Sequence, residues 1–395
     1  MTTTELIHAA LATVQDPELH RALPELGMVK SVEVKGTTAQ LEILLTISGC
    51  PMKDRLQKDI DSAVLAVEGI SAVEITFGVM DEEQRANIKK LLRNGRESFI
   101  SFAQKDSLTR VIGVASGKGG VGKSTVTANL AVSLAKMGFS VGILDADIYG
   151  PSMPIMFDVE NEKPVSVMVD GKSKMKPIES YEVKILSIGF FTSPSQAVIW
   201  RGPMASKALN QMIFDADWGE LDFMLIDLPP GTGDVHLSIV QSLPITGVVI
   251  VSTPQAVALA DAKKGVSMFM SEAINVPVLG IIENMAYFTP EGSSESEQAK
   301  QLPENKYYIF GKEGARNLAE DLEVPFLGEV PIVQSIREAG DYGRPAAMQT
   351  GSIIETVFEE ITRNVVREVV SRNESLPATE AIKITTMAGC SAVKK

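Results

Sequence analysis

The sequence predicts an α/β fold in which a mostly parallel sheet is flanked by helices and preceded by a small α+β domain. From Arg110 onward, apolar runs rich in β-branched residues alternate with helical stretches, which is typical of a parallel sheet buried on both faces. Residues 1–80 instead combine helices with strands that alternate polar and apolar residues. A chain of 395 residues is long enough for both units.

The small domain, residues 1–80, is predicted to begin with a helix over residues 4–14. Two paired strands follow, with a turn at Lys35-Gly36, and a last strand ends the domain. A second helix lies between the paired strands and the last strand, and its apolar residues recur at helical spacing: Leu56, Ile60, Val64 and Leu65. The charge-rich residues 81–108 are interpreted as a helical or mobile linker.

The large domain is predicted to span residues 109–372 and to be followed by a C-terminal tail, residues 373–395, with a short strand near Ala381. Its strands are expected in seven apolar runs: VIGVA, VGILDAD, VKILSIGF, FMLIDLP, GVVIVSTP, PVLGIIEN and PFLGEVPI. The last helix, SIIETVFEEITRNVVREVV, has an apolar stripe and nearly balanced charge on its other face. That balance favours a helix docked on the domain over a membrane anchor, which would carry excess Lys and Arg.

Composition argues against several classes of function. The formal net charge of -13 disfavours non-specific attraction to nucleic acid or anionic lipid, so we expect neither as a partner. No apolar run approaches the roughly 20 residues of a membrane helix, and the N-terminus lacks the features of a secretory signal, so we expect a cytoplasmic protein. Two cysteines are too few for a disulfide framework, and three histidines are too scattered for a zinc site.

A glycine-rich phosphate-binding loop follows the first strand of the large domain. The motif G-x-x-x-x-G-K-[ST] is met by GKGGVGKST, which comprises Gly117, Lys118, Gly119, Gly120, Val121, Gly122, Lys123, Ser124 and Thr125. A strand leads in and a helix leads out, so backbone N–H groups can converge on phosphate oxygens. Lys123 is expected to reach the β- and γ-phosphates, and the Ser124 hydroxyl to bind Mg²⁺. The large domain is therefore predicted to be a P-loop NTPase.

Lys118 is a second lysine within this loop. The run GKGGVGK resembles the deviant Walker A motif of the MinD/ParA/nitrogenase-iron-protein class of ATPases, whose extra lysine reaches the partner's nucleotide across a dimer interface. The resemblance implies a homodimer that encloses ATP and a catalytic role for Lys118. The alternative is an incidental surface lysine.

Aspartates end two of the predicted strands, at the sheet edge where ligands bind in open parallel sheets. Asp145 and Asp147 end VGILDAD, and Asp227 ends FMLID. Asp147 resembles the switch I aspartate that orients the attacking water in this class, and a carboxylate at Asp227 can hold Mg²⁺ through water, as a Walker B residue does. The alternative for each is a structural helix cap.

Three further residues complete the class pattern. Gly231 and Gly233 would give the switch II loop freedom to sense the γ-phosphate. Asn284, at the end of PVLGIIEN, resembles the asparagine that binds the adenine edge in these ATPases. The N-K-x-D motif that GTP sites use is absent from the sequence, so ATP is favoured over GTP.

Longer stretches narrow the resemblance to one family. DADIYGPSMP, WRGPMASKALNQM and DWGELDFMLIDLPPGTGD resemble the Mrp/ApbC family of iron-sulfur cluster carriers. DPELHRALPELGMV and LTISGCP resemble the small iron-sulfur assembly domain that is often fused ahead of such ATPases. The resemblance implies an ATPase with ATP and Mg²⁺ as cofactors, which binds clusters and transfers them to apoproteins. Its partners would be apo iron-sulfur proteins and assembly factors.

The chain departs from this family in its cysteines. Members typically carry C-x-x-C after the asparagine strand, so that two chains bridge one [4Fe-4S] cluster, whereas this sequence has no cysteine between Asn284 and Gly311. Cys50 and Cys390 would supply four thiolates in a dimer, the number a Cys₄ cluster needs. Alternatively, Cys50 is a small buried residue and Cys390 a terminal thiol. Two other functions stay open: an ATP-dependent scaffold or adaptor without its own cluster, and a spatial organiser of the ParA/MinD type.

Overall fold

The computed structural model of the protein describes residues 2–16, 21–45, 53–81, 84, 107–169, 171–191, 202–289, 306–379 and 381. Two compact units are seen: Met1–Phe99 with Asn373–Leu376, and Ile100–Arg372 with Pro377–Lys395. Several sequence-based expectations fall outside the described residues. They concern Cys50, Cys390, most of the linker and the strand in the tail.

The small unit is a three-stranded sheet packed against two helices. Its elements are α1 (Thr3–Leu11), β1 (Val29–Lys35), β2 (Thr38–Leu45), α2 (Lys53–Leu65) and β3 (Ala72–Val79). The hairpin partners β1 and β2 are antiparallel, while β2 and β3 are parallel, and β2 lies in the centre. The helix α1 starts where the Thr2 hydroxyl accepts the N–H of Glu5, while the Glu5 carboxylate accepts the N–H of Thr2.

The apolar stripe of α2 fills the core of this unit. Leu56, Ile60 and Val64 are buried, as their helical spacing predicts. The prediction that Leu65 belongs to the same stripe is wrong, because its side chain is 47% exposed. One residue further along a helix turns the side chain by about 100°, which moves Leu65 off the buried face.

The large unit contains most of the secondary structure. Its strands are β4 (Arg110–Ala115), β5 (Val141–Asp145), β6 (Val165–Val169), β7 (Lys172–Lys176), β8 (Ile178–Ser180), β9 (Val183–Ser187), β10 (Phe223–Asp227), β11 (Gly247–Ser252), β12 (Val278–Phe288) and β13 (Phe326–Ile332). Its helices are α3 (Lys123–Lys136), α4 (Met153–Met156), α5 (Gly202–Phe214), α6 (Asp234–Ser242), α7 (Ala256–Phe269), α8 (Gly314–Asp321), α9 (Gln334–Asp341) and α10 (Ile353–Ser375). The last three residues of α10 are counted with the small unit.

Eight of these strands form one sheet in the order β13-β12-β11-β4-β10-β5-β9-β8. Every neighbouring pair is parallel except β8 with β9, so the prediction of a mostly parallel sheet is confirmed. The inner strands β4, β10 and β11 bury nearly every residue, which explains their continuous apolar sequence. The carboxyl ends of β4, β5, β10 and β11 lie side by side, and the P-loop begins at this edge.

Three features differ from the sequence-based expectation. A hairpin of β6 and β7 was not predicted, although Asp170-Gly171 between its strands is a common turn signal. Strand β12 continues past Asn284 to Phe288, with a register irregularity in between. Helix α10 extends to Ser375, three residues into the predicted tail, because nothing interrupts it before Pro377.

Helix α10 packs its apolar stripe into the unit, burying nine of its residues. None of the helices in the described part of the chain combines the length and the apolar character needed to cross a bilayer.

Candidate nucleotide-binding site

The loop between β4 and α3 has the backbone of a phosphate cradle. Gly120 and Gly122 have φ angles of 83° and 82°, in the left-handed region where side chains are strained. Gly117 packs so closely on α7 that an added Cβ would lie 2.1 Å from the carbonyl carbon of Asp261. Gly117, Gly120 and Gly122 are therefore required by backbone geometry and packing.

Lys123 is the buried cation of this site. It is the first residue of α3 and is only 6% exposed. Its Nζ lies 2.8 Å from Oδ2 of Asp227 and 3.7 Å from Oδ2 of Asp147. The ammonium group, which the sequence predicts to bind phosphate, is here paired with the two predicted carboxylates.

Asp227 links the P-loop helix to the end of β10. It is fully buried, and its Oδ2 accepts the Ser124 hydroxyl at 2.6 Å. Its Oδ1 accepts the hydroxyl of Thr127, one turn further along α3, at 2.7 Å. The structure thus places Ser124 and Asp227, the two predicted Mg²⁺ residues, in direct contact. Thr127 holds the carboxylate in place, a role that the P-loop motif alone did not indicate.

The oxygens of Ser124 and Asp227 fit a magnesium ion. Mg²⁺ prefers hard oxygen ligands, and protein sites commonly supply one or two of them while substrate phosphates and water complete the coordination. Within the described residues, no group of three or more His, Cys, Asp or Glu side chains forms a metal site by itself. The Ser124 and Asp227 pair is therefore suited to an ion bound together with a nucleotide.

Asp145 is a second buried carboxylate, which the sequence placed at this edge without assigning it a role. It lies opposite Asp227 in the register of β5 and β10. The Ser187 hydroxyl and the backbone N–H groups of Ser152 and Met153 donate to its Oδ2. Burial, followed by the charge of Asp227, raises the pKa of Asp145 to about 7. Asp145 therefore anchors the segment after β5.

Asp147 belongs to the segment that Asp145 anchors. Its own backbone N–H donates to Oδ1 of Asp145 at 3.2 Å, and its Oδ1 accepts the N–H of Gly150 at 3.3 Å. Burial raises the pKa of Asp147, while the positive charge of Lys123 opposes the shift. Its carboxylate thus shares one edge of the site with Lys123 and Asp227.

Residues 228–233, which we call the switch loop, connect Asp227 to α6. The N–H of Gly231 donates to the carbonyl of Ser116 at 2.9 Å, and Gly231 has a φ angle of 88°. Pro230 approaches the P-loop, since an added Cβ on Gly119 would lie 3.8 Å from its Cγ. The switch loop therefore contacts the start of the P-loop at two points.

Asn284 contacts the P-loop from strand β12, and Lys118 is part of the loop itself. Asn284 is buried on β12, and its Nδ2 donates to the carbonyl of Val121 at 2.8 Å. The same amide leaves no room for a side chain at Gly122. Lys118 is partly exposed, and its carbonyl accepts the Ser116 hydroxyl at 3.0 Å. The contact of Asn284 with adenine and that of Lys118 with a partner's nucleotide stay predictions.

Comparison with known proteins identifies the family. Residues 107–366 match the family model described as NUBPL iron-transfer P-loop NTPase. The chain belongs to this family. Nucleotide hydrolysis is the general activity of P-loop NTPases, and the buried lysine and carboxylates at the carboxyl edge of the sheet agree with it. Residues 4–77 match a second model, described as iron-sulfur cluster assembly protein.

Two relatives of this NUBPL-type chain, both named iron-sulfur cluster carrier protein, cover most of its length. The iron-sulfur cluster carrier protein of Deinococcus radiodurans is 41% identical over 93% of this chain and 95% of its own length. The iron-sulfur cluster carrier protein of Synechocystis is 39% identical over 87% of this chain and 91% of its own length. A nucleotide-binding protein of Archaeoglobus fulgidus, solved in complex with ADP, is 37% identical over 62% of this chain and 93% of its own, with a TM-score of 0.49. In these two carrier proteins, counterparts of both units therefore lie within one chain.

Proposed function

We propose that this protein is an ATP-binding and ATP-hydrolysing carrier that binds iron-sulfur clusters and transfers them to apoproteins. The observation that carries the proposal is the buried contact of Lys123 and Ser124 with Asp227 beside a P-loop. It is supported by the near full-length similarity to proteins named iron-sulfur cluster carriers.

Nucleotide binding would rearrange the buried charges. The Lys123 ammonium would leave Asp227 for the β- and γ-phosphates, while backbone N–H groups of residues 117–125 receive the remaining phosphate oxygens. Ser124 and Asp227 would then hold Mg²⁺, which offsets phosphate charge when bound. Asn284 would contact the adenine edge. Binding thus exchanges a lysine–aspartate pair for lysine–phosphate and magnesium–aspartate contacts.

Hydrolysis would use the residues that face the γ-phosphate. Asp147 would orient a water for attack on the γ-phosphorus, giving ADP and inorganic phosphate. Lys118 of a second copy would stabilise the charge that develops on the transferred oxygens. Because the site would be complete only in a homodimer with an ordered switch loop, we expect slow, switch-like turnover.

The cluster is cargo in this scheme, and its ligands are proposed from the sequence. Cys50 and Cys390 are the chain's two cysteines, so two chains would offer four thiolates. Four thiolates match a [4Fe-4S] cluster of the Cys₄ type.

Anaerobic reconstitution tests the cluster proposal. Wild type, Cys50→Ser, Cys390→Ser and the double variant are treated with ferrous iron and sulfide, with and without Mg-ATP, and desalted before iron and acid-labile sulfide are counted. We expect about four irons per two wild-type chains and a large loss in either single variant. A double variant that keeps a full cluster would contradict the cysteine assignment.

The low cysteine content favours one alternative, an ATP-dependent scaffold without its own cluster. That function predicts no cluster on the wild-type chain in either condition, together with ATP-dependent binding to an assembly factor. The same reconstitution therefore separates the two functions.

A further inference from the structure

His236 is a buried histidine to which the nucleotide chemistry above gives no role. It lies in the first turn of α6, directly after the switch loop, and is only 1% exposed. Neither ring nitrogen makes a well-formed hydrogen bond to the residues that the structure describes, although the carbonyl groups of Gly233 and Pro229 lie near the ring. An unpaired polar group in the interior loses the hydrogen bonds that it makes to water in the unfolded chain, so such a group calls for an explanation.

The surroundings of the ring keep it neutral. Burial lowers the pKa of His236, and the carbonyl groups of Gly233 and Pro229 oppose that shift only in part. The ring also lies near Phe269 of α7, with ring centroids 6.2 Å apart. A neutral imidazole carries one N–H donor, and the two nearby carbonyl groups are acceptors.

Of these two acceptors, the carbonyl of Pro229 is the one through which a bond from the ring would reach beyond α6. The Gly233 carbonyl already accepts the backbone N–H of His236 at 3.1 Å, within the first turn of α6. Pro229 lies two residues after Asp227, so a bond from the imidazole would tie α6 to the segment that carries the buried carboxylate.

Pro229 directly precedes the two residues of the switch loop that contact the P-loop segment. The next residue, Pro230, lies against Gly119 of the P-loop. Gly231 then donates to the carbonyl of Ser116. The switch loop is thus held near the P-loop through Pro230 and Gly231, and His236 follows the loop in the first turn of α6.

We propose that His236 is a positioning residue for the switch loop: its N–H pairs with the Pro229 carbonyl when bound nucleotide closes the loop. The pairing fixes Asp227 and the loop backbone in the arrangement that hydrolysis requires. The proposal rests on the ATP hydrolysis proposed above. Its rival is a purely structural role, in which the ring only fills space against Phe269.

Three variants of the full-length chain separate these roles. His236→Gln keeps a donor and an acceptor. His236→Phe keeps an aromatic ring against Phe269 but has no ring nitrogen. His236→Leu is an apolar replacement whose volume is closer to that of histidine. Each is assayed for kcat, KM for ATP and melting temperature.

A positioning role predicts a change in kcat that packing alone would not give. We expect kcat to fall about tenfold or more in both apolar variants, with KM within about twofold and no fall in melting temperature in at least one of them. His236→Gln should retain kcat within about threefold. Unchanged kcat in the apolar variants, or an equal loss in His236→Gln, would overturn the proposal.

Backbone amide exchange of residues 228–236 supplies a readout that is independent of turnover. Adding a non-hydrolysable ATP analogue with Mg²⁺ should slow exchange in wild type and His236→Gln but not in His236→Phe; equal slowing in all three would overturn the proposal. A wild-type chain that binds the analogue but never hydrolyses ATP would contradict the proposed function alone. Normal wild-type hydrolysis with an unaffected His236→Phe would contradict only the role of His236.

Discussion

The two units of the chain differ in where their charged side chains lie. At the carboxyl edge of the large sheet, one lysine and three aspartates are buried together: Lys123, Asp145, Asp147 and Asp227. In the small unit, the charged pair Lys30 and Glu42 lies on the surface, with side chains 55% and 33% exposed. The hydrophobic core of the small unit is built from apolar side chains, and Asp16 is the one charged residue that is buried in the described part of this unit.

This difference indicates where a ligand is needed. Burying a charge costs free energy unless it is paired and hydrogen-bonded, and a buried ion pair often adds little net stability. The described residues of the small unit contain no such cluster, whereas the large unit holds three carboxylates against one ammonium group. The excess negative charge is suited to Mg²⁺, and the lysine to phosphate, so the cluster reflects function rather than stability.

Removing the buried cation should have the largest effect. Lys123→Ala is expected to lower kcat/KM for ATP by at least about a thousandfold, because phosphate binding and charge stabilisation are lost together. Phosphate release at a range of ATP concentrations measures the change.

Lys136→Met is the matched control on the same helix. Lys136 donates to the carbonyl of Ala347 and pairs with Glu355, at the far end of α3 from the P-loop. We expect it to alter ATP turnover less than about twofold. Equal losses in both variants would mean that Lys123 acts through the fold of α3 rather than at the nucleotide.

Truncating a core residue of the small unit should affect stability instead of catalysis. Ile60→Ala is expected to lower the free energy of unfolding of this unit by about 2–5 kcal/mol, because Ile60 is fully buried on α2. Leu65→Ala, at an exposed position of the same helix, should cost well under half of that. Denaturant unfolding followed by circular dichroism measures both, and a larger effect at Leu65 would contradict the packing of α2.

The raised pKa of Asp145 predicts a smaller, pH-dependent effect in the large unit. Between the ordinary value of 3.8 and about 7, the folded chain binds a proton that the unfolded chain releases. Stability therefore falls as pH rises through this window and is lowest above pH 7, with a change of roughly 1 kcal/mol between about pH 6 and 8. Unfolding of wild type and Asp145→Asn without nucleotide or Mg²⁺ measures the slope. If the free energy of unfolding depended on pH equally in both proteins, Asp145 would not be the group that titrates in this range.

The smallest effect is expected for the exposed pair of the small unit. Lys30→Ala removes the 2.7 Å contact with Glu42. Because solvent screens both groups, we expect a loss of about 0.5 kcal/mol or less. A loss above about 1 kcal/mol in urea unfolding would weaken the contrast between the surface charges and the buried cluster.

The parts of the structure that local patterns specify were predictable from the sequence. Inner strands such as β10 and β11 are continuous apolar runs, and the P-loop has a fixed spacing, so both could be located. The contacts of Asp145 with Ser187, and of Thr127 with Asp227, were not predictable, because they join residues far apart in the sequence. Such pairs follow from strand order and register, which hydropathy patterns do not encode.

Asn284 lies in a correctly predicted strand, but its contact, too, could not be predicted from the sequence. The sequence indicated a polar residue at the sheet edge, and the structure brings its amide to the carbonyl of Val121. Strand β12 then continues beyond it, with Met285 at a φ angle of 56°. A positive φ at a methionine follows from tertiary packing and has no signature in the sequence.

Cluster transfer tests the account most directly. Reconstituted wild type and Lys123→Ala are each mixed anaerobically with an apo-enzyme whose activity requires a [4Fe-4S] cluster, with and without Mg-ATP, and recovery of enzyme activity is followed. We predict that Mg-ATP changes the transfer rate of wild type about tenfold and leaves that of Lys123→Ala unchanged. Transfer that proceeds equally in both proteins with and without Mg-ATP would contradict an ATP-switched carrier.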